Sequence, residues 1–359
     1  MNRSVQRILL ILPLLASIVL TNWFVDPEHL RAPDVYEHGV VEMLSQGKAV
    51  TNVVNDDTAA ILEFSILAQT SAPDVLLLGT SKSKVINSDF FPGQTFFNAA
   101  LSGSGMGDLV VIYDLYEGRG FIPREVILEV NPWLLTPGRN SQVPRFEARR
   151  APLERSLLRG ESAASPARPQ RSRPWTRVYQ KMLTPDYFQS SLLALMNAAL
   201  NADNARIREY HAGDVTSGTT YFPDGSILVP PRTLAGLGTE RPQAEALKYG
   251  WDPPGGIPYQ IDPYQRKVLE AFVQHLADSG VRVTFYLPPY HPVSYQLMMD
   301  SPSRVVTDVQ QYFVELAQAH GFTVIGSYNP ADIGVTGADF YDVTHITSAS
   351  IWRIFEADR

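Results

Sequence analysis

Short apolar runs ended by glycine, asparagine or proline alternate along the chain with longer segments whose apolar residues return every three or four positions. The first pattern marks a strand buried on both faces of a parallel sheet, the second a helix with one face in the core. Asp74-Val-Leu-Leu-Leu-Gly79 predicts the first central strand, Thr95-Phe-Phe-Asn-Ala-Ala-Leu101 the second and Glu125-Val-Ile-Leu-Glu-Val130 the third, with a helix from about Gly107 to Glu117 before the third. The rhythm resumes at Asp262-Pro263, where aspartate can cap a helix and proline suits its first turn; Val268, Leu269, Phe272, Val273 and Leu276 then share one face. Val281 to Leu287 and Phe322 to Ile325 predict two further strands, separated by a helix from Val306 to His320, and a last helix runs from about Ser348 to Glu356. Strands and helices in alternation predict an α/β fold built on a doubly wound parallel sheet.

Two stretches break this rhythm. Arg3 and Arg7 precede an apolar run from Ile8 to Val25, long enough to span a bilayer, with Trp23 near its end and Asp26 and Glu28 beyond. We expect residues 1–25 to be an uncleaved signal anchor at the inner (cytoplasmic) membrane, with the rest periplasmic or extracellular. A cleaved signal peptide is the competing reading, although no small-x-small site follows the run. Residues 26–72 read as a helical, membrane-proximal lead-in, in which Asp56-Asp57-Thr58 puts acidic groups at a helix start. Residues 73–359 form the α/β domain, with an insertion at about 139–261. Between 139 and 181 that insertion holds eleven Arg or Lys against three Glu, and Ala, Ser and Pro are dense between 162 and 174. This predicts a mobile surface segment, either a dock for an anionic partner or a solvated loop. Tyr221 to Leu228 reads as a hairpin turning at Asp224-Gly225.

With 359 residues, 45% hydrophobic and 19% charged, the chain can bury a large core, and we expect one large domain. A net charge of −7 argues against a nucleic-acid partner. The absence of cysteine excludes disulfides, thiol nucleophiles and thiolate-ligated metals. No His-Glu-x-x-His, P-loop or dinucleotide fingerprint stands at a strand-to-helix junction, so neither a metal nor a cofactor is expected.

A nucleophile must then carry oxygen or nitrogen. Ser81, in Gly79-Thr-Ser81, follows the first strand, and open α/β sheets bind ligands beyond the carboxyl ends of their strands. Serine needs a base to take its proton, and Asp342-Val-Thr-His345 supplies an imidazole with a carboxylate three positions before it. Candidate oxyanion donors are the backbone N–H groups of Ser81 and Gly103 and the Asn131 side chain, each after a predicted strand. Ser83 is a rival nucleophile, Asp342 a rival helix cap and Asn131 a rival turn residue. Tyr290 and His291 after the fourth strand are candidate substrate contacts, and Trp133, Trp175, Tyr221 and Trp251 could line a sugar groove.

The order Gly79-Thr-Ser81, Asn98-x-x-x-Ser-Gly103, Asn131, Asp342-x-x-His345 resembles the four blocks of the SGNH (GDSL-like) hydrolase superfamily. The resemblance covers about residues 73–133 and 262–357. It departs from the usual pattern at Thr80, where the family has Asp, and at Pro132, where Asp follows the Asn. The first departure is shared with membrane-anchored SGNH-like proteins of cell-envelope modification, such as those of alginate O-acetylation and teichoic-acid D-alanylation. The resemblance implies a three-layer α/β/α flavodoxin-like fold, with Ser81 as nucleophile, His345 as base, Asp342 as its orienter, and Ser81, Gly103 and Asn131 around the oxyanion. It implies acyl transfer, most simply of acetyl, to a hydroxyl of a cell-surface polysaccharide, and a multipass membrane acyltransferase as partner. An esterase of the same fold and a non-catalytic polysaccharide-binding subunit are the alternatives.

Overall fold

A computed structural model describes residues 3–27, 30, 34–54, 56–137, 143–160, 175–200, 207–214, 216, 218–249, 260–301 and 305–358. The lead-in comprises α1 (Arg3–Val25), α2 (Val35–Ser45), β1 (Val50–Val53) and α3 (Thr58–Ala68). Then come β2 (Val75–Leu78), β3 (Phe96–Asn98), α4 (Met106–Glu117) and β4 (Glu125–Glu129). The insertion carries α5 (Glu147–Arg159), α6 (Trp175–Met182), α7 (Pro185–Leu200), β5 (Arg208–Glu209), β6 (Thr219–Tyr221), β7 (Ile227–Leu228), α8 (Pro231–Leu234) and α9 (Arg241–Tyr249). The chain closes with α10 (Pro263–Asp278), β8 (Arg282–Leu287), α11 (Pro292–Asp300), α12 (Val305–His320), β9 (Thr323–Gly326) and α13 (Ser348–Ala357).

The main sheet has the order β3-β2-β4-β8-β9 and every neighbouring pair is parallel. The chain therefore steps outward from β2 to β3 and returns on the other side at β4. That reversal opens a crevice beyond the carboxyl ends of β2 and β4. Both faces are covered, as the unbroken apolar runs require. Leu76, Leu78, Val126, Leu128 and Phe285 pack with residues of α4, α10 and α12, while Val75, Leu77, Ile127 and Tyr286 pack with Phe90, Ile351 and Phe355 on the opposite face. Local signals place the helix starts. Asp57 accepts the N–H groups of Ala59 and Ala60 (3.1 Å each) at the head of α3, and Asp262 accepts that of Tyr264 (2.8 Å) before Pro263 opens α10.

The structure corrects two expectations and bears on a third. The lead-in is not wholly helical: β1 lies between β5 and β6 in a second, antiparallel sheet of order β5-β1-β6-β7. Four residues are too few for a visible period, and the partners of β1, among them Thr220, whose hydroxyl meets that of Thr51 at 2.7 Å, lie far along the chain. Nor is the basic stretch a loop throughout. Residues 147–159 form α5, and Arg145 and Arg149 pair with the buried Glu63 (2.6 and 3.3 Å), Arg145 also reaching Asp34 at 3.0 Å. Arg150 faces the buried Asp108 at 3.8 Å. Composition counts these charges but cannot see acids that arrive from other elements. Arg168, Arg171 and Arg173 lie outside the described residues. Finally, among the described residues no helix is long and apolar enough to cross a membrane. The expected anchor falls in the 23-residue α1, whose side chains are described only at Pro13 and from Leu15 onward.

Pairing of the insertion with the lead-in has a measurable cost. Arg145→Gln strands Glu63, only 5% exposed, beside a single remaining arginine, and should lower the unfolding free energy by about 1.5–3 kcal/mol. Arg155→Gln, on the exposed side of the same helix, should stay within about 0.5 kcal/mol in the same urea titrations.

Candidate active site

Ser81 sits in a turn that begins where β2 ends. Gly79, the first residue past the strand, has no room for a side chain: a Cβ there would stand under 3 Å from Ser83 Oγ and from Glu129. Its carbonyl accepts the N–H of Leu101 and the hydroxyl of Ser104, both at 2.9 Å. The serine turn is thereby joined to the loop after β3 that carries Gly103. From the other side Glu129, the fully buried last residue of β4, holds the same turn. Its Oε2 accepts the Thr80 N–H (2.8 Å) and the Ser83 hydroxyl; its Oε1 accepts the Thr80 hydroxyl (2.6 Å) and the Asn131 amide (3.1 Å). A buried carboxylate persists only where such donors surround it.

Glu129 was not among the site residues expected from the sequence. A signal existed: Glu129 directly follows the apolar run Val126-Ile-Leu128, at the carboxyl end of a strand read as buried on both faces. A carboxylate from β4 thus reaches both the backbone and the side chain of Thr80.

The structure brings Ser81, His345 and Asp342 into one hydrogen-bonded chain. Ser81 Oγ lies 2.8 Å from His345 Nε2, and His345 Nδ1 lies 2.9 and 3.1 Å from the two Asp342 oxygens. A carboxylate can only accept, so Nδ1 carries a proton; in the neutral imidazole Nε2 is then the acceptor, and the Ser81 hydroxyl donates to it. Asp342 also receives the backbone N–H groups of Thr344 (2.7 Å) and His345 (2.8 Å), which fold the Asp-x-x-His loop into a compact turn. Burial pushes the Asp342 carboxyl up, but the His345 hydrogen bond and charge and these two N–H groups outweigh it, and the net shift is below the usual carboxylate range. Thr347, not Asp342, caps α13 through the Ser350 N–H (3.2 Å). Ser83, the rival nucleophile, is fully buried and bonded to Glu129.

The Tyr341 ring lies parallel to the imidazole at 5.8 Å, and Gly236, just beyond α8, is so close to the Tyr341 carbonyl that a side chain would collide. The β6–β7 hairpin touches the other loops: Asn98 N–H donates to Asp224 O (2.7 Å) and Ile227 N–H to Lys84 O (3.0 Å). The insertion thus packs on both halves of the site.

Of the expected oxyanion residues, Gly103 stands exposed in a tight turn with φ +72°, a conformation that suits glycine. Asn131 is buried, its Oδ1 accepting the Trp133 N–H (3.0 Å) while its amide donates to Glu129, so its orientation is set. Tyr290 and His291, the expected substrate contacts, are both buried. His291 is 2% exposed; its Nδ1 accepts the Val293 N–H (3.2 Å) to cap α11, and burial lowers its pKa. Tyr290 is buried under the ammonium of Lys82, 3.8 Å above the ring centre. Lys82 Nζ has no hydrogen-bond partner among the described residues, and burial brings its pKa down to about 8 against the pull of Glu129 and Asp342. Tyr221 is buried and bonded to Asp56 (2.7 Å), Trp133 is half-buried, and Trp251 and the Trp175 side chain lie outside the described residues.

Two outcomes follow from this geometry. Gly79→Ala must displace either Glu129 or the serine turn and should destabilise the fold by about 1–3 kcal/mol in urea titrations. The Asp342 carboxyl, held low in the folded chain, adds stability above its unfolded value of about 3.9, and that stability is lost as pH falls through the folded value. Asp342→Asn should therefore flatten the fall of the urea midpoint below about pH 4.

No family model matches the chain, and no curated protein matches it. What the site can do is carried by its own geometry.

Proposed function

We propose that this protein is an exported, membrane-anchored serine O-acyltransferase that passes an acyl group, most simply acetyl, to a hydroxyl of a cell-surface polysaccharide. The observation that carries the chemistry is the Ser81–His345–Asp342 chain, with 2.8 and 2.9 Å between successive partners. Ser81 Oγ attacks the acyl carbon of the donor as His345 takes its proton; the tetrahedral oxyanion is met by N–H donors from the Ser81, Gly103 and Asn131 positions. Collapse expels the leaving group, which receives the proton from His345, and leaves an ester on Ser81. An acceptor hydroxyl, deprotonated by His345, then attacks that ester, takes the acyl group and frees the serine. With water in place of the hydroxyl the same steps are esterase chemistry.

The block motifs and the strand order support an SGNH-type assignment, because counted within the main sheet the strands run 2-1-3-4-5, the flavodoxin-like arrangement. The anchor rests on the apolar run from Ile8 to Val25 and its basic flank. Anchoring and the likeness to envelope-modifying members favour transfer over hydrolysis and imply a multipass membrane partner that delivers the acyl group.

Ser81→Ala and His345→Ala should each cut acetate release from an activated acetyl ester by roughly 1,000-fold or more, with the urea midpoint little changed. A serine-directed phosphonate probe should label the wild type at Ser81 and fail on His345→Ala. Unchanged turnover in Ser81→Ala would overturn Ser81 as the nucleophile, and no turnover or labelling in the wild type would leave only a binding role.

A further inference from the structure

The pair of helices α1 and α7 has its polarity reversed for a structure in water. The two run antiparallel, since Asn22 meets Ser191 and Asp26 meets Tyr187. Their polar groups face one another. Asn22 is wholly buried, its amide donating to Met182 O (2.7 Å) and its oxygen accepting the Ser191 hydroxyl (2.9 Å), while Asp26 accepts the Tyr187 hydroxyl at 2.6 Å. Their apolar groups face out: Leu15, Leu20 and Phe24 of α1 and Leu192, Leu193 and Met196 of α7 are all exposed, Phe24 at 74%. A helix pair against water shows the opposite arrangement, with its apolar stripe turned inward. Ten of the nineteen exposed large hydrophobic side chains among the described residues fall on α1, α6 and α7 or the turn between the last two, so this is a patch and not scatter.

Three further features name the occupant. Beyond Asp186 in its first turn, α7 carries no charged side chain through Leu200, so its one charge sits at the end where the helix would enter the lipid. Polar groups that satisfy one another between helices while apolar ones face out are the pattern of helix pairs in lipid. At the end of the pair where α1 runs into the lead-in, Trp23 stacks on Tyr179 (6.3 Å between ring centres). Paired aromatic rings at one end of a helix pair fit the level of a membrane–water interface.

We propose that α7 is a second membrane element, entering the lipid bilayer beside α1 from the side of the catalytic body. At 16 residues it is about 24 Å long, short of the roughly 30 Å hydrocarbon core, so it enters without crossing. The proposal rests on the anchored reading of α1 and adds to it. It makes the insertion a second attachment of the chain to the lipid, beside α1.

The chain has no cysteine, so a single introduced one reports its surroundings cleanly. Leu193→Cys and Met196→Cys probe α7; Leu247→Cys, exposed on α9 of the body, is the reference. Membranes bearing each full-length variant are treated with a membrane-impermeant maleimide, before and after solubilisation in denaturing detergent. The expected result is modification of the two α7 positions at least tenfold slower than that of position 247 in membranes, and equal rates once denatured. Leu192→Cys replaces either probe that fails to accumulate. Equal rates in membrane-bound protein would overturn the proposal while leaving the anchor intact, and recovery of the wild type in the soluble fraction would overturn both. Protection that is relieved by diluting the protein into excess lipid would assign the face to a second copy of the chain and overturn the proposal as well.

Discussion

A carboxylate with no access to solvent is tolerable only if every direction it faces offers a donor, and Glu129 meets that condition by recruiting the serine turn. Thr80 and Ser83, on either side of Ser81, and Asn131, at the head of the next loop, all turn toward its two oxygens. The need to satisfy one buried charge therefore draws together two of the three loops over which an acyl group would be handled. Gly79 is the other half of that constraint, because the carboxylate approaches the chain at a point where no side chain fits.

The third loop arrives by topology. Ser81 and His345 are 264 positions apart, yet each follows its strand or precedes its helix at the same edge of a sheet whose strands all point one way. Parallel pairing sends every strand's carboxyl end to one rim, so residues far apart in sequence meet without any special path. The insertion completes the rim by packing α8 against Tyr341 and the β6–β7 hairpin against the loops after β2 and β3.

Features that depend on near neighbours along the chain are legible in the amino-acid sequence. The runs around Leu76, Ile127 and Phe285 read as buried strands, and Asp57 and Asp262 announce their helices, because a strand's period and a cap's donors lie within a few residues. The Asp-x-x-His spacing likewise shows that Asp342 and His345 can share a turn. Features that depend on the third dimension are hidden there. Val50–Val53 is a strand because Arg208–Glu209 and Thr219–Tyr221 flank it, and Arg145 is half of an ion pair whose other half, Glu63, is on α3. His291 follows a strand at the active rim, as a substrate contact would, but the N–H of Val293 two residues on claims its ring nitrogen. A capping histidine and a substrate-binding one look alike in a one-dimensional pattern.

The carbonyl of Gly79 has a consequence for how this site would discriminate. Because that one oxygen ties the loop of Gly103 to the turn of Ser81, neither can yield alone when a misfitting molecule presses on it. A poor substrate would displace the attacking oxygen together with the surface that receives it. In the acyl transfer proposed above, selectivity would then be exercised in how fast a bound molecule reacts, more than in how tightly it is held.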